Sequence, residues 1–180
     1  VFLFGHMLHE HDDALDAGHQ VHGAAHALDH LARDHPVGQI ALFADLHGAQ
    51  DAEVDLTAAD LWRELDGPSL FRIEGRNRQP LFVSVLLHGN EDTGWLAAQS
   101  VLKKYTTMEL PRALSLFIGN IEAARSGLRR LDGQPDYNRV WPGSEEAHSA
   151  ELAMMQQVVD VMRTRDVFAS IDIHNNTGLN

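Results

Sequence analysis

An α/β fold, with a mostly parallel or mixed central sheet and helices on both faces, is predicted by three features of this chain. Leu81–Leu87 (LFVSVLL) is a nearly unbroken apolar run, as expected for a strand buried on both faces. Arg112–Gly119 and Val167–Ile173 are two more predicted strands. Between them lie segments with helical periodicity, and strands alternating with helices imply a largely parallel sheet.

The elements can be placed in order. His19, His22, His26 and His30 recur at helical spacing, so Asp12–Asp34 is predicted as a helix that Pro36 prevents from continuing. Ile40–Asp45 is a candidate strand. Thr57 or Asp55 is expected to cap a helix through Leu65 that Gly67-Pro68 closes. Ser69–Glu74 is a predicted strand and Gly75–Gln79 a turn. A helix is expected from Gly94 to Lys104, with Leu96, Ala97 and Val101 inward and Lys103 and Lys104 at its negative end. Glu122–Gly143 is too long and too polar for a simple connector. Ser144 is expected to cap a helix whose first turn holds Glu145 and Glu146 and whose apolar side is Leu152, Met155, Val158, Val159 and Met162.

Composition limits the chemistry. The chain has 180 residues, 44% of them hydrophobic, which is enough for a packed core. Its net charge of -12 argues against nucleic acid as a partner, because phosphate backbones require clustered Lys and Arg. There is no cysteine, so disulfides, thiolate metal sites and cysteine nucleophiles are all excluded. No apolar run is long enough to span a bilayer, and a soluble, cytoplasmic protein with no membrane partner is expected. Nine of the twelve histidines fall within residues 1–47, so the chain divides into a His-rich, partly helical segment, 1–58, and a core, 59–180.

Within the core, His88 and Glu91 follow one buried strand and His174 follows another. Sites in such sheets gather beyond the carboxyl ends of the strands. Two His and one Glu suit a zinc ion with an open fourth position, at which a water acquires a pKa of about 7. Asp172, two residues before His174 and on the same face of its strand, is placed to orient a ligand, or else to hold a nearby backbone group. Gly89 permits a sharp turn between the ligands.

The stretch His88-Gly89-Asn90-Glu91-Asp92-Thr93-Gly94 resembles the first zinc motif of the succinylglutamate desuccinylase/aspartoacylase family, relatives of the zinc carboxypeptidases. Asn120-x-x-Ala123, Arg129 and Asp136-Tyr137-Asn138-Arg139-x-Trp141-Pro142-Gly143 resemble its second block, and Asp172-Ile173-His174-Asn175-Asn176-Thr177 its third. The resemblance covers roughly residues 60–180. It implies a zinc carboxypeptidase-like fold and one zinc per chain, held by His88, Glu91 and His174. It also implies that Arg129 polarises the scissile carbonyl and that Asn138 and Arg139 grip a substrate carboxylate. Arg130 competes with Arg129 for the carbonyl role. The implied activity is cleavage of the amide bond of a small N-acyl amino acid.

The alternatives are a carboxypeptidase acting on peptides and a non-catalytic metal-binding protein that uses the His-rich segment as a store. The family's general base, a glutamate beyond the third block, has no counterpart in the six residues after His174. A truncated chain that binds zinc but turns over poorly is therefore expected. Asp45-Leu46-His47-Gly48 imitates an Asp-x-His block with no partner motif before it. The oligomeric state is left open.

Overall fold

The runs at 81–87 and 112–119 take inner positions of the sheet, and the segment at 167–173 takes an edge. The computed structural model describes residues 41–45, 56–144 and 148–175. Its strands are β1 (Ala41–Asp45), β2 (Ser69–Ile73), β3 (Gly75–Val85), β4 (Leu110–Ile118) and β5 (Ala169–Ile173), in the order β1-β2-β4-β3-β5. β3 runs parallel to both β4 and β5, and β1 runs parallel to β2; β2 and β4 are antiparallel. The sheet is therefore mixed. β1 lies inside the segment 1–58. The predicted helix at Asp12–Asp34 and the histidines of that segment lie outside the described residues.

Side-chain alternation along the strands divides the core in two. Phe71, Val83, Val85, Leu116 and Ile118 face a layer made by a short 3-10 helix (Ala58–Arg63), α1 (Thr93–Lys104) and α2 (Ile121–Arg125). Leu70, Phe82 and Phe117 face Tyr137, Val140 and the Met154, Met155 and Val158 side of α3 (Ala150–Thr164). Helices thus cover both faces, as the alternating pattern predicts. Each fully buried aliphatic or aromatic side chain contributes about 1.5–3 kcal/mol relative to exposure.

Several local expectations change. The segment Gly75–Gln79 is not a turn but the start of β3, because Gly75 and Asn77 pair with Leu110 and Arg112. A register irregularity between Asn77 and Leu81 absorbs the poor strand formers. The Thr57 segment forms a 3-10 helix, and the Thr57 hydroxyl donates to the Asp60 carboxylate at 2.7 Å instead of capping a backbone amide.

In α1, Leu96 and Val101 are exposed, Ala97 likewise, and the inward side is Trp95, Gln99 and Leu102. The indole N–H of Trp95 and the amide of Gln99 both donate to the Leu56 carbonyl, at 2.8 and 2.7 Å. Burying the larger ring and satisfying that carbonyl sets the rotation of the helix. The cap of α3 is Ser149, whose hydroxyl accepts from the Leu152 amide at 3.1 Å. Ser144 instead closes a turn onto the Trp141 carbonyl.

Two tests follow. A Cβ at Gly94 would collide with the Ile173 carbonyl oxygen, so the α1 N-terminus lies directly on β5. Gly94→Ala should destabilise the chain by about 1–3 kcal/mol, read as a lower midpoint in thermal unfolding. An unchanged midpoint would show that α1 does not press on β5. The second test concerns Tyr137. Burial, and then the charge of Glu151, push its phenol up to about 12 from 10.0. Its contribution to stability is complete below pH 10 and is lost as pH rises through about 12. Tyr137→Phe should flatten the decline of the urea midpoint over that interval.

Candidate functional site

β3 stops at Val85 because Leu86 is in the left-handed region, with φ 54°. The Leu86 carbonyl is held by the Asn120 amide at 2.6 Å, beyond the end of β4. The chain then enters the His88 loop. Gly89 is required there for close approach, since a Cβ would collide with the backbone of Ala123 and Ala124. Its φ is not among the positive ones, so the predicted sharp turn is not the reason for it. Its amide donates to the Arg129 carbonyl at 3.1 Å and fastens the loop to a second one.

The Glu91 amide donates to the His88 carbonyl at 3.1 Å, a turn that folds the two side chains together. His88 is 2% exposed and Glu91 1%. His88 Nδ1 lies 3.1 Å from Glu91 Oε1, yet neither Nδ1 nor Glu91 Oε2 has a hydrogen-bond partner. Buried polar atoms are nearly always satisfied, so two adjacent orphans point to a missing group. Two ligands of one tetrahedral zinc, each about 2.0–2.2 Å from it, lie about 3.3 Å apart. A buried imidazole and carboxylate in contact without a hydrogen bond therefore fit a shared cation.

The second loop is set by α2 and Gln134. Asn120 caps α2 by accepting from the Ala123 amide at 3.2 Å, which explains the Asn120-x-x-Ala123 spacing. Asn120 also donates to Gln134 Oε1 at 2.7 Å, and Gln134 donates to the Tyr137 phenol at 3.3 Å. Arg129 is thereby delivered to Glu91 Oε1 at 2.9 Å and to Asp136 Oδ2 at 3.3 Å. Arg130 turns away, donating to the Gln134 carbonyl at 2.9 Å. It lines a cavity of about 630 Å³, with Leu131, Gln134, Val140 and His148, that includes none of the candidate ligands.

Asp136 Oδ1 meets His88 Nε2 at 2.8 Å and accepts from the Asn138 amide at 2.9 Å. Burial pushes its carboxyl up. The His88 hydrogen bond, the Asn138 amide and the charges of His88 and Arg129 outweigh that effect and hold it below the usual carboxylate value. Sequence reasoning assigned Asp136 no role, and its place at the head of the Asp136–Arg139 block is the signal from which one follows. The Arg139 guanidinium is exposed and reaches the Asn138 carbonyl at 3.4 Å.

His174 stands just beyond β5, and its Nδ1 lies 2.6 Å from Asp172 Oδ2. Ser84, level with Asp172 on β3, donates to the other carboxylate oxygen at 3.0 Å. Asp172 thus holds a histidine and not a backbone group. Among the described residues no three His, Asp or Glu side chains close on one point as a finished metal site. The structure therefore brings His88, Glu91, Arg129 and Asp136 together and places His174 on the adjacent strand.

Residues 78–178, more than half of the chain, match the family model described as the succinylglutamate desuccinylase/aspartoacylase catalytic domain. Among curated proteins, none matches. A solved structure, the succinylglutamate desuccinylase from Vibrio cholerae, is similar at 12% identity with a TM-score of 0.44. The match covers 55% of this chain and 30% of that one. On the family match, this chain belongs to the succinylglutamate desuccinylase/aspartoacylase family.

Proposed function

We propose that this chain carries the metal-binding core of a zinc-dependent hydrolase that cleaves the amide bond of a small N-acyl amino acid. The observation that carries the proposal is the buried pair of orphan atoms, His88 Nδ1 and Glu91 Oε2, in a chain of this family. His88, Glu91 and His174 would hold one zinc ion. When bound, zinc supplies Lewis acidity and lowers the pKa of a water to about 7.

The chain's own residues supply the rest. Arg129, beside Glu91, directs a guanidinium at the oxygen of the scissile carbonyl and stabilises the charge that develops there. Asn138 and Arg139 converge on the amino-acid carboxylate, for which a planar guanidinium is suited. Among the described residues Arg139 pairs with no carboxylate, so its fork is available to a substrate. Asp172, braced by Ser84, holds the His174 ring in place. Arg129, Arg130 and Arg139 within one short segment offset the acidity of the chain where an anionic substrate would arrive.

Metal content per chain tests the reading. Near one zinc is expected in the wild type, with little in His88→Ala or His174→Ala. Zinc retained by both variants would assign the metal to the His-rich segment and remove the enzyme reading. A panel of N-acyl amino acids set against C-terminal peptides then decides between deacylase and carboxypeptidase. Arg129→Ala should lower kcat by about 10²–10³-fold, while Arg130→Ala should change it little. Equal losses would remove the distinction between the two arginines. Arg129→Ala should also cost the metal-free chain about 1–3 kcal/mol, since buried Glu91 loses its partner. Because the Arg129 side chain is 42% exposed, the low end of that range is expected.

A further inference from the structure

The loop that carries Arg129 has a second side, which the proposed centre does not use. Leu131 to Gln134 close a tight turn: the Gln134 amide donates to the Leu131 carbonyl at 3.1 Å, and Gly133, third in the turn, takes a positive φ of 73°. The Gln134 side chain accepts from the Leu131 amide at 3.0 Å and from Asn120 at 2.7 Å, which fixes the turn to the chain leaving β4. Arg130 is held beside it by the bond to the Gln134 carbonyl at 2.9 Å, which leaves most of its N–H donors free. Asp132 stands exposed in the same turn. Among the described residues the Asp132 carboxylate and the His148 ring meet no partner, and Asp132 does not pair with Arg130. All three line the cavity of about 630 Å³, a size within the ~300–1,000 Å³ of small-molecule pockets. Leu131, Pro135 and Val140 line it as well, Val140 fully buried.

We propose that this cavity is a second binding site, for a free α-amino acid with an apolar side chain. The two signs of charge on its lining carry the argument. Arg130, with a ring N–H of His148, suits a carboxylate. Asp132 suits an ammonium group. A simple anion would be attracted by Arg130 and opposed by Asp132, and a simple cation the reverse, whereas a zwitterion satisfies both. Leu131, Pro135 and Val140 offer apolar surface to the side chain. An N-acyl amino acid has no ammonium group, so it suits the proposed centre and not this cavity. On the reaction proposed above, the cavity takes the class of the released product, and Arg130 is the next residue after the guanidinium on Glu91. Binding here needs neither zinc nor turnover, so it is tested apart from the metal reading.

The test is a titration of the zinc-free 180-residue chain with L-leucine, followed by amide NMR. The amides of residues 130–134 and of His148 are expected to shift as L-leucine is added, and their shifts give the dissociation constant. N-acetyl-L-leucine, which lacks the ammonium, should bind the wild type about tenfold more weakly. Asp132→Asn and Arg130→Gln should each weaken L-leucine binding by about the same factor, the low end for charge-assisted contacts because both side chains are exposed. Unmoved amides in this segment, or N-acetyl-L-leucine bound as tightly as L-leucine, would overturn the proposal. So would L-leucine binding at full strength in both variants; its loss in Arg139→Ala would then place the amino acid on the Asn138–Arg139 pair. Should Arg130→Gln fail to fold without its bond to Gln134, Asp132→Asn and the N-acetyl comparison decide. A chain that binds L-leucine here but no zinc loses the metal reading and keeps this site, and a chain that binds zinc but no L-leucine does the reverse.

Discussion

The parallel pairing of β3 with β4 on one side and β5 on the other brings Val85 level with both Ile118 and Ile173. The carboxyl ends of three parallel strands are therefore flush. Everything that leaves those ends starts from the same height: the His88 loop from β3, Asn120 and α2 from β4, and His174 from β5. A slip of one residue in the β3–β5 ladder would turn the side chains of β5 to the opposite face. Ser84 would then no longer meet Asp172, and His174 would lose its brace. The close contacts at Gly89 and Gly94 hold the arrangement from above, where a side chain on Gly89 would push the His88 loop off α2 and one on Gly94 would push α1 off β5.

Electrostatics explains why the centre needs so many partners. His88 and Glu91 are both withdrawn from water, and a buried carboxylate is costly unless something compensates it. Arg129 compensates one oxygen and leaves the other without a partner. Asp136 holds one His88 nitrogen and leaves the other likewise. The two compensated atoms face the loop that brings the arginine, and the two uncompensated ones remain on neighbouring side chains. Such an arrangement costs free energy unless a further group meets both atoms. The brace of Asp172 and Ser84 on His174 is built by the same chemistry from the adjacent strand.

Local pattern and tertiary context part company at identifiable residues. The run at 81–87 declares a strand because an apolar stretch buried on both faces has few other solutions, and the segments at 112–119 and 167–173 pair with it on either side. Gly75–Gln79 has the composition of a turn, yet it pairs with β4, because an available ladder outweighs weak strand propensity. In α1 the periodicity allowed more than one inward face. The size of Trp95 and the Leu56 carbonyl chose between them, and neither effect is visible in a count of apolar positions. Ser144 and Ser149 both precede helical pattern, but only Ser149 has its hydroxyl on a helix amide.

By itself the sequence determined the α/β class and the absence of cysteine, and its resemblance to the family singled out His88, Glu91, His174, Arg129, Asn138 and Arg139 as candidates. The class follows from hydrophobic period and residue type, and the candidates from motifs, all of which the chain carries in one dimension. Only the tertiary structure decided that Arg129 and not Arg130 lies on Glu91, that Asp136 meets His88, and that Asp172 reaches back to Ser84. Those contacts join positions 38, 48 and 88 residues apart, and loop geometry and strand register settle them, not local propensity. The reason is physical: a side chain's partner depends on where the backbone carries it, and that is a property of the whole packed sheet.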